Sequence, residues 1–267
     1  MGLPVALQLW TVRAAAARDH AGTLGRVAEL GFDGVELVEE LMGADRSGAA
    51  TRAVLRRLGL AAVGCHAHLG ALERELDRLI DVTLELGCEH LVCAWLDEPR
   101  RADLDAYRDV ARSLAGIGER CRQAGVQLVY HHHDFEYARF EGRPALDWLC
   151  ALVDPALLQV ELDTYWVLAG GADPAAELRR FGDRCRLVHV KDRLPDGAPD
   201  VAEPQAGVAH RTTEVGTGVL DLPELLAAAE PHVRWCIVEQ DVCPNGPFES
   251  ARTGLANLRS ALAERAR

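Results

Sequence analysis

The sequence predicts an α/β protein with the (β/α)8 TIM-barrel fold in a single domain. A short apolar stretch recurs eight times along the 267 residues, and segments with a helical spacing of apolar residues separate most of the copies. Strand alternating with helix implies parallel strands joined by right-handed crossovers, and about 250 residues is the usual size of such a barrel. The alternative is a doubly wound open sheet. It is disfavoured because no G-x-G-x-x-G follows the first stretch.

Polar or catalytic residue types follow the end of each of the eight predicted strands. The strands are PVALQLW, FDGVELV, LAAVGCHAH, HLVCAWL, GVQLVYHHH, LLQVELD, CRLVHVKD and RWCIVEQD. Between them, segments such as TLGRVAELG carry an apolar stripe and end in a glycine, which is the usual helix stop before the next strand. These glycines are Gly31, Gly59, Gly87, Gly125 and Gly182.

The interval between the seventh and eighth strands is longer than the others. It is rich in proline, glycine and charge, so we expect residues 193–215 to form a long loop after strand 7, over the active site. That segment lies inside the repeat and is the only one that resembles a linker. We therefore treat residues 1–267 as one domain.

Composition restricts the partners. The net charge of −12 disfavours nucleic acid and anionic membranes. No apolar run is long enough to span a bilayer, and the start of the chain lacks the features of a signal peptide. The eight cysteines form no C-x-x-C pair. We expect a cytoplasmic protein with a small-molecule partner, and a homo-oligomer is possible.

Active sites of such barrels lie at the carboxyl ends of the strands. This sequence places imidazoles and carboxylates at five of these ends, where mixed nitrogen and oxygen donors suit Mn²⁺, Co²⁺, Zn²⁺ or Mg²⁺. A structural zinc site would be closed by cysteines instead. The residues are His66 and His68, the run His131 to His133 with Glu136, Asp163, His189 with Lys191 and Asp192, and Glu239 with Asp241.

These motifs resemble the xylose isomerase-like TIM-barrel superfamily of sugar (phosphate) isomerases and epimerases, and the related inosose dehydratases. The matching segments follow one another along nearly the whole chain: QLWTVR, GFDGVEL, CHAHL, VYHHHDFEY, ELDTYWVLAGGADPAAEL, LVHVKD, EVGTGVLDLPELL and WCIVEQD. VYHHH is similar to the corresponding strand of inosose dehydratases, whereas HHHDFEY with DTYW and VEQD is more similar to an epimerase-type subgroup. The segments DTYW, HVKD and VEQD indicate this family only when they occur together, because each one alone is weak evidence.

The resemblance implies a metal held by an acid from strand 5, an Asp from strand 6, a His from strand 7 and a Glu from strand 8. The last three correspond to Asp163, His189 and Glu239. Strand 5 departs from the family, because Tyr130 or His131 stands where most members have Glu, and we predict His131 as the substituting ligand. An imidazole in place of a carboxylate removes one negative charge and favours a borderline ion over Mg²⁺.

The chemistry implied by the resemblance moves a proton beside a carbonyl. A base removes the proton while a cation stabilises the enediolate. Glu136 and Glu239 would transfer protons, Lys191 would stabilise the oxyanion, and the histidine run would supply an acid for dehydration. The predicted catalytic residues are thus Glu136, Glu239, Lys191 and His133, and the predicted substrate-binding residues are His66, His68 and Trp10.

Each assignment has a structural alternative. Asp163 could cap the following helix, and His189 could be a hydrogen-bonded core histidine. Glu239 could be a salt-bridge partner, and Lys191 could pair with a nearby acid. His132 should point away from its neighbours and lie behind the site, because side chains alternate along a strand.

The leading prediction is a divalent-metal-dependent isomerase or epimerase of a sugar, keto-sugar or sugar derivative. An inosose-dehydratase-type lyase on the same scaffold is the first alternative. A non-catalytic polyol-binding barrel is the second, because the strand-5 Glu is missing. An endonuclease of the abasic-site type shares the fold, but the acidic net charge disfavours it.

Overall fold

The computed structural model describes residues 2–43, 47–205 and 207–265. Within them, eight parallel strands close into one barrel, each strand pairing with the next along the chain and the last with the first. This confirms the predicted single-domain (β/α)8 fold. The strands are β1 (Val5–Gln8), β2 (Gly34–Val38), β3 (Ala61–His68), β4 (His90–Trp95), β5 (Gln127–His131), β6 (Gln159–Asp163), β7 (Cys185–Val190) and β8 (Trp235–Val238).

Helices surround the barrel. They are α1 (Arg13–Ala16), α2 (His20–Leu30), α3 (Gly48–Leu58), α4 (Leu69–Leu86), α5 (Leu104–Ala124), α6 (Ala145–Leu152), α7 (Thr164–Ala169), α8 (Pro174–Phe181), α9 (Leu222–Ala229) and α10 (Pro247–Arg265). Short 3-10 turns lie at Leu9–Val12, Glu39–Leu41, Glu98–Arg101, Phe135–Tyr137 and Gly182–Arg184.

The helix ends follow the local chemistry of the sequence. Aspartate side chains accept backbone N–H groups at the starts of several helices, including Asp103 at α5 and Asp173 at α8. Gly87 and Gly125 adopt the left-handed conformation at the ends of α4 and α5, where a side chain would be strained. Each helix therefore stops shortly before the strand that follows it.

Strand periodicity divides the core in two. Alternate residues face the barrel interior, where a small apolar cluster packs, while the others pack outwards against the helices. The interior cluster consists of Ala6, Val63, Val92, Val129, Leu187 and Ile237. The carboxyl ends of the strands then carry buried polar side chains in place of apolar ones.

The segment after β7 has an ordered base. Asp192–Arg193 pairs antiparallel with Thr212–Thr213. The Asp192 carboxylate also accepts the backbone N–H groups of Gly216, Gly218 and Leu220 at 2.9 Å. The predicted loop 193–215 thus begins and ends near a two-stranded antiparallel ribbon. Residue 206 of this loop lies outside the described residues. A second small ribbon joins Arg139–Phe140 and Arg143–Pro144.

No helix among the described residues is both long and apolar enough to cross a bilayer. All eight cysteines are free thiols.

Candidate active site

A cavity of about 270 Å³ opens at the carboxyl ends of the strands. That is slightly below the usual range for small-molecule pockets, about 300–1,000 Å³, and is suited to a single-ring ligand. The described residues lining it are Trp10, Val38, Glu39, Glu40, His66, Ala67, His68, Ala71, Ala94, Trp95, His131, His133, Lys191, Gly207, Val208, Glu239 and Asp241.

The predicted metal ligands do not converge on one point. Asp163, His189 and Glu239 form one group, which we call the outer group. His131 belongs to a second, fully buried set, the inner group, with His66, Glu161 and His189. The structure therefore divides the predicted set of four ligands, and His189 is the residue that both groups share.

The two acids of the outer group, together with Asp241, surround an ammonium. The Nζ atom of Lys191 lies 3.1 Å from Asp163 Oδ2, 2.9 Å from Glu239 Oε2 and 3.0 Å from Asp241 Oδ2. Burial alone would lower the pKa of Lys191, but these three carboxylates outweigh it and raise the pKa well above its usual value. Lys191 is thus a permanent cation, and it also lies 5.5 Å from the centre of the Trp166 ring.

The inner group is centred on one carboxylate oxygen. Glu161 Oε2 lies 3.0 Å from His66 Nε2, 3.2 Å from His131 Nδ1 and 3.1 Å from His189 Nε2. Despite this proximity, Nδ1 of His131 makes no aligned hydrogen bond within the part of the chain that the structure describes. Glu36 on β2 closes the other side, with its Oε2 3.0 Å from His66 Nε2 and 2.6 Å from His189 Nε2.

His189 links the two groups through its two ring nitrogens. Nδ1 lies 2.7 Å from Glu239 Oε2, and Nε2 faces Glu36 and Glu161. Burial would lower the pKa of this imidazole, but the surrounding carboxylates raise it well above 6.5. The same carboxylates raise the pKa of His66 to about 9 against the effect of burial.

Asp163 performs two tasks with its two oxygens. Oδ1 accepts the backbone N–H groups of Tyr165 and Trp166 at the start of α7, while Oδ2 points to Lys191. Asp163 therefore caps α7 and also contacts the ammonium of Lys191. Burial raises the pKa of Asp163 to about 6, partly offset by Lys191 and His189.

His132 lies behind the cavity and positions Asp163. Its Nε2 accepts the backbone N–H of Asp163 at 3.1 Å, and its Nδ1 lies 3.2 Å from the carbonyl oxygen of His133. Burial lowers the pKa of His132 to about 4, so the ring is neutral and can accept that N–H. The alternation of strand β5 thus gives His132 a different role from His131 and His133.

His133 lines the cavity within an aromatic wall. Its ring lies 5.1 Å from that of Trp95, 5.3 Å from that of Trp166 and 5.2 Å from that of Phe135. Nδ1 of His133 is buried and makes no hydrogen bond with the described residues. Burial lowers its pKa well below 6.5, so His133 offers an uncharged, unpartnered nitrogen at the cavity.

Glu136 was predicted to transfer protons, but it is not among the residues lining the cavity. It is fully buried, accepts the Tyr130 hydroxyl at Oε1 (2.6 Å) and accepts the His133 backbone N–H at Oε2 (2.7 Å). Burial raises its pKa to about 8. These contacts make Glu136 a support for the strand-5 segment that carries His133.

The remaining predicted substrate-binding residues lie at the rim. Trp10 lines the cavity with the Arg13 guanidinium 4.9 Å from its ring centre. The His68 side chain is half exposed and lies 3.8 Å from Glu40. Together with His66 they bring side chains from the ends of β1 and β3 to the cavity.

The loop after β7 covers part of the cavity. Gly207 and Val208 line it, and Gly207 has a φ of +69°. A β-carbon on Gly207 would clash with the ring of Trp95. Only glycine allows the backbone to approach the Trp95 ring so closely, and this contact joins the loop to the end of β4.

Three residues of the site received no role from the sequence. Glu161 precedes Asp163 by two residues, so strand periodicity places both on the same face. Glu36 lies inside the apolar segment FDGVELV, two residues before its end. Asp241 was recognised only as a strand-end acid. Applying the two-residue period to each predicted strand would have found Glu161 from the sequence.

Comparison with known proteins gives a family, relatives and folds. A family model described as xylose isomerase-like TIM barrel matches residues 24–261. An inosose dehydratase of Lacticaseibacillus casei is 30% identical over 164 residues, which cover 58% of this chain and 54% of the relative. The chain thus spans about half the length of that curated relative.

Solved structures share the fold over nearly the whole chain. A sugar phosphate isomerase/epimerase from Parabacteroides distasonis ATCC 8503 superposes with a TM-score of 0.79 at 20% identity, covering 98% of this chain and 96% of that one. The IOLI protein with a bound zinc atom superposes with a TM-score of 0.74 at 12% identity, covering 98% and 99%. At these identities the likeness concerns the fold.

Proposed function

The chain belongs to the xylose isomerase-like TIM-barrel family, and we propose that it is a metal-dependent lyase. In this proposal it removes the proton beside the carbonyl of a sugar or cyclic keto-polyol and expels water, as an inosose dehydratase does. One observation carries the choice: strand β8 brings the carboxylate Glu239 to the cavity, whereas strand β5 brings the imidazoles His131 and His133. The relative at 30% identity is an inosose dehydratase, which supports the same choice.

Two sets of donors fit a divalent ion. The outer group offers carboxylates and one imidazole, and the inner group offers three imidazoles and one carboxylate. Buried Oε1 of Glu161 and Nδ1 of His131 make no hydrogen bond with any described residue, as expected of atoms that can turn to a ligand. When bound, such an ion would polarise the carbonyl and stabilise the negative charge that develops on its oxygen.

Glu239 is the proposed base. Burial would raise its pKa, but the positive charges of Lys191 and His189 lower it well below the usual value, so the carboxylate is ionised at the cavity wall. Its Oε2 is oriented by His189 Nδ1 at 2.7 Å and by Lys191 Nζ at 2.9 Å. The α-proton of the substrate would pass to this carboxylate.

Asp241 is the proposed acid. It lines the cavity on the other side of Lys191, whose Nζ lies 3.0 Å from Asp241 Oδ2. Burial and the neighbouring Glu239 raise the pKa of Asp241, so of the two carboxyl groups it retains a proton more readily. That proton would pass to the leaving hydroxyl. His133, which the sequence assigned as the acid, is neutral and would bind a substrate hydroxyl through Nδ1.

The charge of the cavity favours a neutral substrate. Among its described lining residues, Lys191 is the only lysine or arginine, and three carboxylates already surround it. Glu39 and Glu40 add further acidic side chains to the wall. The carboxylates would therefore repel a phosphate group, which binds best to cations that donate two hydrogen bonds, as arginine does. Sugars and polyols without phosphate are the better match, and aromatic Trp10 and Trp95 can cover their C–H faces.

Isomerisation through one base is the second candidate. It shares the first step, and Glu239 could return the proton to the neighbouring carbon without any acid for a leaving group. A two-base epimerisation is less well supported, because the described lining residues include no carboxylate from strand β5. The free cysteines agree with our further proposal that the protein works in a reducing, cytoplasmic setting.

The test incubates the metal-supplemented protein with a panel of inososes and unphosphorylated ketoses in D₂O. We expect a conjugated product that absorbs in the near ultraviolet, formed with loss of one water, and abolished by EDTA. Deuterium incorporation with retention of all hydroxyl groups would instead establish the isomerase. Metal binding without either reaction on any compound would contradict the enzymatic proposal.

A further inference from the structure

We propose that the inner group, formed by His66, His131, Glu161 and His189, is the site that binds the divalent ion. The ion would be held by Nε2 of His66, Nδ1 of His131, Nε2 of His189 and Oε2 of Glu161. This inference rests on the proposed metal dependence and names the ligands of that ion, replacing the set of Asp163, Glu239, His189 and a strand-5 residue.

The spacing of the donor atoms supports the assignment. A tetrahedral ion with bonds of about 2.0–2.1 Å separates its ligands by about 3.3–3.4 Å. The three imidazole nitrogens already lie 3.0, 3.2 and 3.1 Å from Glu161 Oε2. All four donor atoms lie within 4.8 Å of one another, so side-chain rotations can bring them around one ion, which can take a substrate oxygen as a fifth ligand.

The surroundings of the inner group complete the site. Two carboxylates, Glu36 and Glu161, balance the charge of a divalent ion. Gln8 donates to Glu36 Oε2 at 2.7 Å and fixes its orientation. With Nε2 of His189 on the ion, Nδ1–H would donate to Glu239 at 2.7 Å, which is the carboxylate–histidine–metal arrangement common in metal sites.

The outer group is a weaker competitor because its cation is built in. Lys191 Nζ lies 3.1 Å from Asp163 and 2.9 Å from Glu239, the two acidic side chains of that group. An ion at the outer group would have to displace a buried ammonium and would also take Glu239 from its role as base. An ion at the inner group takes the place of imidazole protons that face Glu36 and Glu161. It can enter from the cavity because His66 and His131 line the wall.

The donor types predict which ion is preferred. Three imidazoles and one carboxylate favour Zn²⁺ or Co²⁺, whereas a carboxylate-rich set accepts Mg²⁺ and Mn²⁺ more readily. Zn²⁺ and Co²⁺ should therefore bind at least about 100-fold more tightly than Mg²⁺, a ratio expected from the Irving–Williams order and ligand softness.

The experiment titrates the full-length, metal-stripped protein with Zn²⁺ and Co²⁺ by calorimetry, and determines the ligand set of the bound Zn²⁺ by X-ray absorption. The inner group is changed by Glu161→Gln and His66→Gln, and the outer group by Asp163→Asn. The matched controls are His68→Gln, which lies on the same strand as His66, and Glu39→Gln, another buried carboxylate at the cavity. Circular dichroism and thermal unfolding establish that each variant is folded.

We expect Glu161→Gln and His66→Gln each to weaken Zn²⁺ binding by more than the about 10- to 100-fold typical of changing an outer-shell partner. Both controls should keep the wild-type affinity, and Asp163→Asn should retain a Zn²⁺ coordinated by three imidazoles. Loss of binding in Asp163→Asn with wild-type affinity in Glu161→Gln would overturn the inference. That result would not affect the proposed reaction. Conversely, an ion bound at the inner group of a protein that shows no turnover would contradict the proposed reaction but not the metal site.

Discussion

The ammonium of Lys191 lies 2.9 Å from Oε2 of Glu239, the carboxylate that faces the cavity. The same ammonium contacts Asp163 and Asp241, so three buried acids depend on one cation. This arrangement keeps Glu239 ionised without a metal ion at the outer group. The negative charges of Asp163 and Glu239 in the outer group are therefore balanced by Lys191.

Replacing Lys191 by Met should leave three carboxylates without their cation. In EDTA we expect the free energy of unfolding to fall by about 3–5 kcal/mol, as for other broken buried pairs. Mg²⁺ or Mn²⁺ should restore part of this loss by occupying the emptied position. Urea denaturation of both proteins with and without Mg²⁺ measures the effect. A Lys191→Met protein that is as stable as wild type in EDTA would show that the ammonium is not needed there.

Changing His131 and His132 should have different consequences. His131→Ala removes an inner-group ligand and should weaken Zn²⁺ binding strongly. His132→Ala leaves the buried Asp163 N–H without an acceptor, which should cost about 1–3 kcal/mol of folding stability. Its effect on Zn²⁺ affinity should be small. Calorimetric titration and urea unfolding of both variants separate these effects, and equal Zn²⁺ affinities would contradict our assignment of strand β5.

Glu136 should make folding stability depend on pH. Its pKa is about 8 in the folded protein against about 4.5 unfolded, so the folded state binds the proton more tightly. The stabilisation is complete below pH 4.5 and is lost as pH rises towards 8. Glu136→Gln mimics the protonated carboxyl and should remove this dependence. The measurement is the free energy of unfolding of wild type and of Glu136→Gln between pH 5 and 9. If the two free energies changed with pH in the same way, the raised pKa of Glu136 would be refuted.

Gly207 should control the closure of the cavity. A methyl group there would clash with Trp95, so Gly207→Ala should displace the loop and raise KM for the substrate. Gly197→Ala is the matched control, because Gly197 also has a positive φ, of +87°, but its β-carbon would meet nothing within 4 Å. Both variants should lose about 1 kcal/mol from backbone strain. An equal KM in the two variants would show that the Trp95 contact has no part in binding.

The sequence predicted the barrel and the location of its site because strand–helix alternation and strand-end polar residues are local properties. Asp163, His189 and Lys191 could be placed from their positions in the predicted strands. The division into two groups could not be predicted, because it depends on where neighbouring strands register against each other. The register of the strands places Glu36 and Glu161 around Nε2 of His189. The contact between Glu36 and His189 joins residues that are 153 positions apart in the sequence.

Strand 5 shows the limit of motif reasoning most clearly. The sequence offered Glu136 as the nearest carboxylate to replace the missing Glu, but the turn at Phe135–Tyr137 directs Glu136 back under His133 and Tyr130. The direction of a side chain after a strand end depends on the local turn. Neither the spacing of residues nor their type reveals it.

The most direct test of the central claim is the rate of α-proton removal by Glu239→Gln at saturating Zn²⁺ or Co²⁺. The claim is that Glu239 acts as the base while the inner group holds the ion. We expect the variant to bind about as many ions per chain as wild type and to react about 100- to 10,000-fold more slowly, the usual contribution of a positioned base. A variant that keeps the wild-type rate, or that can no longer be saturated with the ion, would contradict it.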